Sequence, residues 1–188
     1  MTCIVSFVDK KKRMMWMGAD SMSSYGYIKA KNSLPKVFQN EHYIIGHCGY
    51  SKAFSLLQYG NNIPPPCGDL HEFMTIIFAD HFRKILDEHD YLKKSDNVSS
   101  MGDKHTVFSI AVGGRLFEVF NNFVVEEFDY PYFSSGSGRE IALGSLYNDN
   151  VSGFLQKDPR ESIRASIKAA TEFIPSVGGK IKIISKSY

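Results

Sequence analysis

Cysteine is scarce in this 188-residue sequence, and long apolar runs are absent from it. The three cysteines, Cys3, Cys48 and Cys67, show no CxxC spacing. This pattern argues against a disulfide framework or a thiolate zinc site, and it favours a reducing compartment. No window approaches the roughly 20 apolar residues that a membrane-spanning helix needs. We therefore expect a protein without a membrane partner.

The sequence also lacks a large excess of either positive or negative residues. The chain has 22 Lys and Arg against 20 Asp and Glu, a net charge of +2, which provides no broad basic field for nucleic acid. With 43% hydrophobic and 22% charged residues, the composition excludes a disordered chain. The N-terminal apolar run precedes the basic run, the reverse of a secretory signal. These features predict a soluble, cytoplasmic protein with a single domain over residues 1–188.

The N-terminal pattern predicts a β-hairpin. Residues 2–8 and 14–17 are mainly β-branched, aromatic or otherwise apolar, and they flank a charged tip at residues 9–13. If the turn is centred on Lys11, paired positions sum to about 22. Thr2 then lies opposite Asp20.

Hydrophobic periodicity predicts the remaining elements. Apolar residues at three- and four-residue steps indicate a long amphipathic helix from Asp69 to about Tyr91. Segments 21–26 and 93–104 are predicted as polar connections. Other expected strands are 36–38, 42–48, 106–112, 116–120, 123–128 and 180–185, and other expected helices are 51–59, 138–147 and 159–173. Because the helices come in pairs, we predict an α+β fold with two mainly antiparallel sheets packed together and helix pairs outside.

Thr2 carries the most specific chemical signal. Its small side chain is compatible with removal of Met1, which would leave a hydroxyl and a free α-amine on one residue. An α-amine with an ordinary pKa of about 7.7 to 8.0 can accept the hydroxyl proton and so activate the oxygen for attack on an acyl carbon.

Two further residues suit this chemistry. A lysine at position 36 would favour the neutral form of a nearby amine and stabilise developing negative charge. A carboxylate at Asp20 would orient that lysine. Taken separately, both residues also fit a solvated surface role.

Five short motifs follow one another in an order that resembles the proteasome β-subunit and HslV peptidases. They are Thr2-Cys3-Ile4-Val5, Gly18-Ala19-Asp20, Lys36-Val37, Gly46-His47-Cys48-Gly49 and Gly136-Ser137-Gly138. These peptidases belong to the N-terminal-nucleophile (Ntn) hydrolases, and the similarity covers nearly the whole chain. The step from Asp20 to Lys36 matches the group, whereas the step from Thr2 to Asp20 is two residues longer.

The resemblance implies a role for each matching residue. Thr2 would be the nucleophile and its amine the base, with Lys36 tuning the pKa of that amine and Asp20 holding Lys36. Ser137 would join the network around the amine. In addition, Gly49 would supply the oxyanion-hole N–H and His47 a wall of the substrate pocket.

The resemblance also implies a four-layer α/β/β/α sandwich and a threonine endopeptidase that needs no cofactor or metal. Self-association into rings, a peptide or unfolded-protein substrate and an ATP-dependent unfoldase as partner belong to the same expectation.

One segment departs from the pattern of the group. Residues 172–179 contain no aspartate, and Ser176 stands one residue too far from Gly178 and Gly179. Two alternatives therefore stay open. The first is a ring or scaffold protein that keeps Met1 and does not cleave, and the second is an Ntn amidase that acts on a small molecule.

Overall fold

The computed structural model describes residues 2–25, 28–31, 34–49, 51–60, 63–95, 98–101 and 106–188. Two sheets and two groups of helices make up this part of the chain, as an α+β protein requires. None of its helices combines the length and apolar character needed to cross a membrane.

The strands form two antiparallel sheets and two separate hairpins. A four-stranded sheet has the order β12-β1-β2-β13, and a five-stranded sheet has the order β11-β10-β9-β6-β5. The hairpins are β3-β4 and β7-β8. The strands are β1 Cys3–Asp9, β2 Met14–Ala19, β3 Met22–Tyr25, β4 Ile28–Lys31, β5 Val37–Gln39, β6 Tyr43–Cys48, β7 Lys93–Ser95, β8 Val98–Ser100, β9 Val107–Val112, β10 Arg115–Phe120, β11 Val125–Phe128, β12 Tyr132–Gly136 and β13 Lys182–Ser187.

The helices lie in two groups along the chain. They are α1 Ser51–Tyr59, α2 Leu70–Glu72, α3 Ala79–Glu88, α4 Arg139–Val151, α5 Phe154–Lys157 and α6 Pro159–Phe173. A π-helical stretch, Phe73–Phe78, joins α2 to α3, so the predicted long helix is continuous. Its first turn is capped by Asp69, whose carboxylate accepts the N–H of Glu72 at 2.9 Å.

Three apolar clusters hold four layers together. Helices α1 to α3 cover the five-stranded sheet through residues such as Phe54 and Phe82, and α4 to α6 cover the four-stranded sheet through residues such as Ile163. The third cluster, which includes Ile4 and Ile44, lies between the sheets. The α/β/β/α sandwich expected for this chain is confirmed.

The N-terminal hairpin forms, but its predicted register is wrong by one residue. Ile4 pairs with Ala19 rather than Gly18, so paired positions sum to 23. The cause is a four-residue tip between Asp9 and Met14, in which the Asp9 carboxylate accepts the N–H groups of residues 11 and 12 at 3.0 Å. Cys3, not Thr2, therefore lies opposite Asp20.

The structure also contains strands that the sequence reading did not assign. β12 covers a segment for which no strand was predicted, and it pairs with β1 along its length. Parts of the two predicted polar connections form the β3-β4 and β7-β8 hairpins. The end residues of those connections, Gly26 and Lys104, lie outside the described residues.

Candidate active site

Thr2 lies where three strands of the four-stranded sheet come together, directly before β1 and beside the ends of β2 and β12. Its backbone N–H donates to Ser137 Oγ at 3.3 Å, and its carbonyl accepts the N–H of Gly138 at 3.3 Å. Thr2 is only 4% exposed. We call this region the Thr2 end of the sandwich.

Gly136 allows the close approach between β12 and Thr2. It has a φ of 89°, and a Cβ at this position would collide with the Thr2 carbonyl oxygen and the Cys48 sulfur. Glycine tolerates both the left-handed backbone and the short contact. The turn that carries Ser137 can therefore reach the Thr2 nitrogen.

The Asp20 carboxylate is fully buried and accepts four hydrogen bonds. Oδ1 accepts from Cys3 N and Lys36 Nζ, each at 3.0 Å. Oδ2 accepts from Met22 N at 3.2 Å and Gly178 N at 3.1 Å. Four donors satisfy the acceptor capacity of an ionised carboxylate, which compensates for its removal from water.

Lys36 meets Asp20 beside the Thr2–Cys3 peptide bond. Its ammonium lies 3.0 Å from Asp20 Oδ1 and donates to the Met22 carbonyl at 2.7 Å, with 7% of the side chain exposed. The ammonium and the Cys3 amide share one carboxylate oxygen, so this cation is held close to the nucleophile candidate. The structure thus brings together Thr2, Asp20, Lys36 and Ser137.

Sequence reasoning missed two backbone contributions to this network. Met22 both donates to Asp20 and accepts from Lys36, and Gly178 donates to Asp20. Backbone groups leave no residue-type signal. Gly178 lies, however, in residues 172–179, the segment that lacks the aspartate of the group's pattern. That departure could have prompted the question of which group in this segment contacts the site.

Gly49 and His47 lie at the C-terminal end of β6, and their neighbour Cys48 reaches the Thr2 end at Gly136. Gly49 is exposed with a φ of 95°, which leaves its backbone open to a ligand. The backbone N–H of His47 donates to the Lys36 carbonyl at 3.0 Å, and its ring stacks on Phe54 with centroids 4.1 Å apart.

The His47 imidazole is buried and neutral at physiological pH. Burial, with a smaller contribution from the Lys36 charge, lowers its pKa from 6.5 to about 4. Within the described part of the chain, its Nδ1 atom has no hydrogen-bond partner.

The buried thiols are poor alternatives as nucleophiles. Burial raises the pKa of Cys3 to about 12 and raises that of Cys48 above its usual range. Both groups stay protonated and act as small core residues.

A surface cleft of about 580 Å³ lies away from this network. It is lined by residues of the β5–β6 turn, such as His42, and by the end of α1 at Tyr59. β6 begins at this turn and ends at the Thr2 end, so the cleft and the buried network occupy opposite ends of the strand.

Solved structures share the fold of this chain. BPH from Thiobacillus denitrificans in complex with epoxomicin has a TM-score of 0.78 and 20% identity, with 99% of this chain and 98% of that chain covered. The chain has the HslV-like fold. A eukaryotic HslV from Trypanosoma brucei gives a TM-score of 0.68 at 16% identity and covers 100% of both chains. Anbu, an ancestral β-subunit from Yersinia bercovieri, gives 0.65 at 17% identity over 99% of this chain and 82% of that chain.

The HslV-like relationship is one of structure. No protein-family profile matches the sequence, and no curated protein matches it. At 16–20% identity, the likeness defines the Ntn-hydrolase fold, and the chemistry must be argued from this chain's own residues.

Proposed function

We propose that this HslV-like chain is a threonine endopeptidase whose nucleophile is Thr2 after removal of Met1. The observation that supports this most directly is the buried Lys36–Asp20 pair, which is anchored on the Thr2–Cys3 amide with Ser137 on the other side. A cation with so few water contacts is costly unless paired. Its position beside a small N-terminal hydroxyl residue has a chemical rationale in nucleophile activation.

The first chemical step uses both groups of Thr2. Its α-amine accepts the Oγ proton while Oγ bonds to the carbonyl carbon of the scissile peptide bond. The oxyanion is stabilised by the Gly49 N–H, which an exposed glycine can present without a side chain in the way. The protonated α-amine of Thr2 then gives its proton to the leaving amine as the C–N bond breaks, and an ester on Thr2 remains.

The second step releases the acyl group. Water loses a proton to the Thr2 amine and attacks the ester carbon, after which Oγ leaves and takes the proton back. Lys36 favours the unprotonated amine through its positive charge, and Asp20 keeps that charge in place. Ser137 orients the amine through Oγ.

Removal of Met1 changes the chemistry of the Thr2 nitrogen. Before removal this nitrogen is part of an amide and cannot accept a proton from Oγ. After removal it is a free amine that can act as the base.

The wider proposal concerns substrate and assembly. Peptides or unfolded proteins would bind across the Thr2 end, with His47 at the wall of the pocket for the side chain before the scissile bond. In this proposal, HslV-like rings enclose the sites, and an ATP-dependent unfoldase in the cytoplasm supplies the substrate. Such confinement gives selectivity against folded proteins without a narrow pocket.

The test begins with the intact mass of the purified protein, which reports whether Met1 is present. The Thr2 form is then treated with epoxomicin, the ligand found on BPH, and assayed with fluorogenic peptides. We expect a covalent adduct on the N-terminal peptide and peptide hydrolysis. Thr2→Ala should lose both while sedimenting as the parent protein does, and Thr2→Ser, which keeps the hydroxyl, should retain cleavage.

Each alternative outcome contradicts the proposal in its own way. Retention of Met1 in assembled protein, with no adduct, would point to a scaffold. Hydrolysis of simple amides but not of peptides would point to an amidase. Peptide cleavage that survives Thr2→Ala would assign the chemistry to another residue.

A further inference from the structure

Glu118 is a buried carboxyl group outside the network described above. It lies on β10 in the five-stranded sheet and is 6% exposed. Its side chain crosses the layer between the sheets and accepts a hydrogen bond from Ser135 Oγ on β12 of the four-stranded sheet. Burial of a carboxyl group in this layer costs free energy unless hydrogen bonds offset the loss of water.

A short polar chain connects Glu118 with both sheets. Ser135 Oγ also lies 2.6 Å from Ser109 Oγ, and Ser109 pairs with Glu118 across β9 and β10. Both serines are buried, with 3% of each residue exposed. The two serines therefore hold the carboxyl where apolar residues fill the rest of the inter-sheet layer.

β12 carries this contact to Thr2. Ser135 precedes Gly136, which packs against the Thr2 carbonyl, and Ser137 follows with its Oγ 3.3 Å from the Thr2 nitrogen. Ser135 also pairs with Ile4 across β1. Ser135 is thus two residues from the side chain that contacts the Thr2 nitrogen.

The charged and titratable groups that face Glu118 come from three other elements. Arg139 at the start of α4 favours the ionised carboxylate, whereas Glu126, directly opposite on β11, disfavours it. The Cys48 thiol faces it from β6. Desolvation outweighs these contributions and raises the pKa of Glu118 to about 7.

We propose that Glu118 is a positioning residue for the Thr2 amine, which it influences through Ser135 and through its own negative charge. The inference rests on the proposed role of Thr2 as an N-terminal nucleophile. Neutral Glu118 leaves the amine free to act as a base. Ionised Glu118 favours the protonated ammonium, so the reactivity of Thr2 depends on the charge of a residue in the opposite sheet.

The expected shift in the titration of the Thr2 amine follows from the distance between this amine and the Glu118 carboxylate. Two residues along β12 and one side chain separate the carboxylate from the Thr2 nitrogen, on the order of 10 Å. At an effective dielectric constant of about 20 to 40, one charge at this distance shifts an amine titration by about half a pH unit to one unit.

The test measures the amine directly, on protein whose N-terminus is Thr2. The rate of N-terminal acetylation by trace acetic anhydride is followed against pH by mass spectrometry of the N-terminal peptide. Glu118→Gln keeps hydrogen-bonding groups and removes the charge, so its reactivity midpoint should fall by about half a unit or more. Glu41→Gln is the control, because it removes an exposed acidic charge on the β5–β6 turn, at the opposite end of β6 from Thr2, and its midpoint should stay at the parent value.

The outcomes separate this inference from the proposed function. A lower midpoint for Glu118→Gln alone supports the positioning role, whether or not peptides are cleaved. Identical midpoints for the parent protein and Glu118→Gln overturn it, even if the parent is an active peptidase. Equal shifts for both variants also overturn it, because they would reflect a general charge effect.

Discussion

Replacement of Glu118 by glutamine should stabilise the protein at alkaline pH and leave its stability at acidic pH nearly unchanged. Burial raises the pKa of this carboxyl from 4.5 in the unfolded chain to about 7 in the folded protein. Between these two values the unfolded chain releases a proton that the folded protein keeps. Stability contributed by neutral Glu118 is therefore complete below pH 4.5 and is lost as the pH rises through about 7.

The magnitude follows from the two pKa values. The shift from 4.5 to about 7 corresponds to roughly 3 kcal/mol in full. Between pH 5 and pH 8, the part that falls inside the window is roughly 2 to 3 kcal/mol. Because glutamine stays neutral, the difference in unfolding free energy between Glu118→Gln and the parent protein should change by this amount.

The comparison with the variant is needed because His47 acts in the opposite direction. Its pKa is lowered to about 4, so its contribution is lost as the pH falls below 6.5. The two effects nearly cancel in the parent protein between pH 5 and pH 8. A flat stability profile for the parent alone therefore says nothing about either group.

Equilibrium urea denaturation at pH 5, 6.5 and 8 provides the assay, with fluorescence of Trp16, the single tryptophan, as the probe. Both proteins are measured at one concentration, so that any self-association contributes equally. Stability differences that stay constant within about 0.5 kcal/mol across the three pH values would refute the assignment of a buried, neutral Glu118.

Three further predictions concern Gly136, Lys36 and His47. Gly136→Ala should cost about 1–3 kcal/mol of stability because of the positive φ at this position and its contact with the Thr2 carbonyl. Gly144→Ala, on a helix with open space around the residue, should gain up to about 1 kcal/mol. Thermal denaturation compares the stabilities of the two variants. Lys36→Met leaves a buried carboxylate without its cation, so urea denaturation should show a loss of about 3–5 kcal/mol, and peptide cleavage should fall by about 10²-fold or more. His47→Phe keeps an aromatic ring on Phe54. In urea denaturation, this variant should lose about 3 kcal/mol less unfolding free energy than the parent protein between pH 7 and pH 4. An equal loss in both proteins would contradict the neutral, buried imidazole.

The layer order could be read from the sequence because local patterns and element order agree. Periodicity located the long helix that runs from Leu70 to Glu88 and the segments that form β9, β10 and β11. Pairing of the helices then limited the architectures to sheets packed face to face. These features depend on near neighbours in the chain, which is the information that a single sequence carries.

Register and β12 were missed for a different reason. The hairpin register depends on the Asp9 carboxylate binding the tip, which adds one position to the turn. β12 is a short aromatic and serine segment whose partner, β1, lies more than 120 residues away in the chain. Local propensity is weak there, and long-range pairing decides the outcome.

The side chains that meet at the candidate site could be predicted from the sequence, whereas the backbone groups that join them could not. Thr2, Asp20 and Lys36 were named from residue type and from the resemblance, Ser137 was named from the resemblance alone, and the four residues lie together. The acceptor for Lys36 on Met22 and the donor on Gly178 are peptide groups, which any residue could supply.

Gly178 changes how the missing aspartate in residues 172–179 is interpreted. Its N–H binds Asp20 Oδ2, so this segment still supports the Lys36–Asp20 pair, but it does so through a backbone group rather than a side chain. The Thr2 nitrogen is contacted by Ser137, on the turn that follows β12, and β12 is itself tied to Glu118 through Ser135. In the proposed peptidase, the turn after β12 therefore positions the amine, while the backbone of residues 172–179 helps to hold the carboxylate that pairs with Lys36.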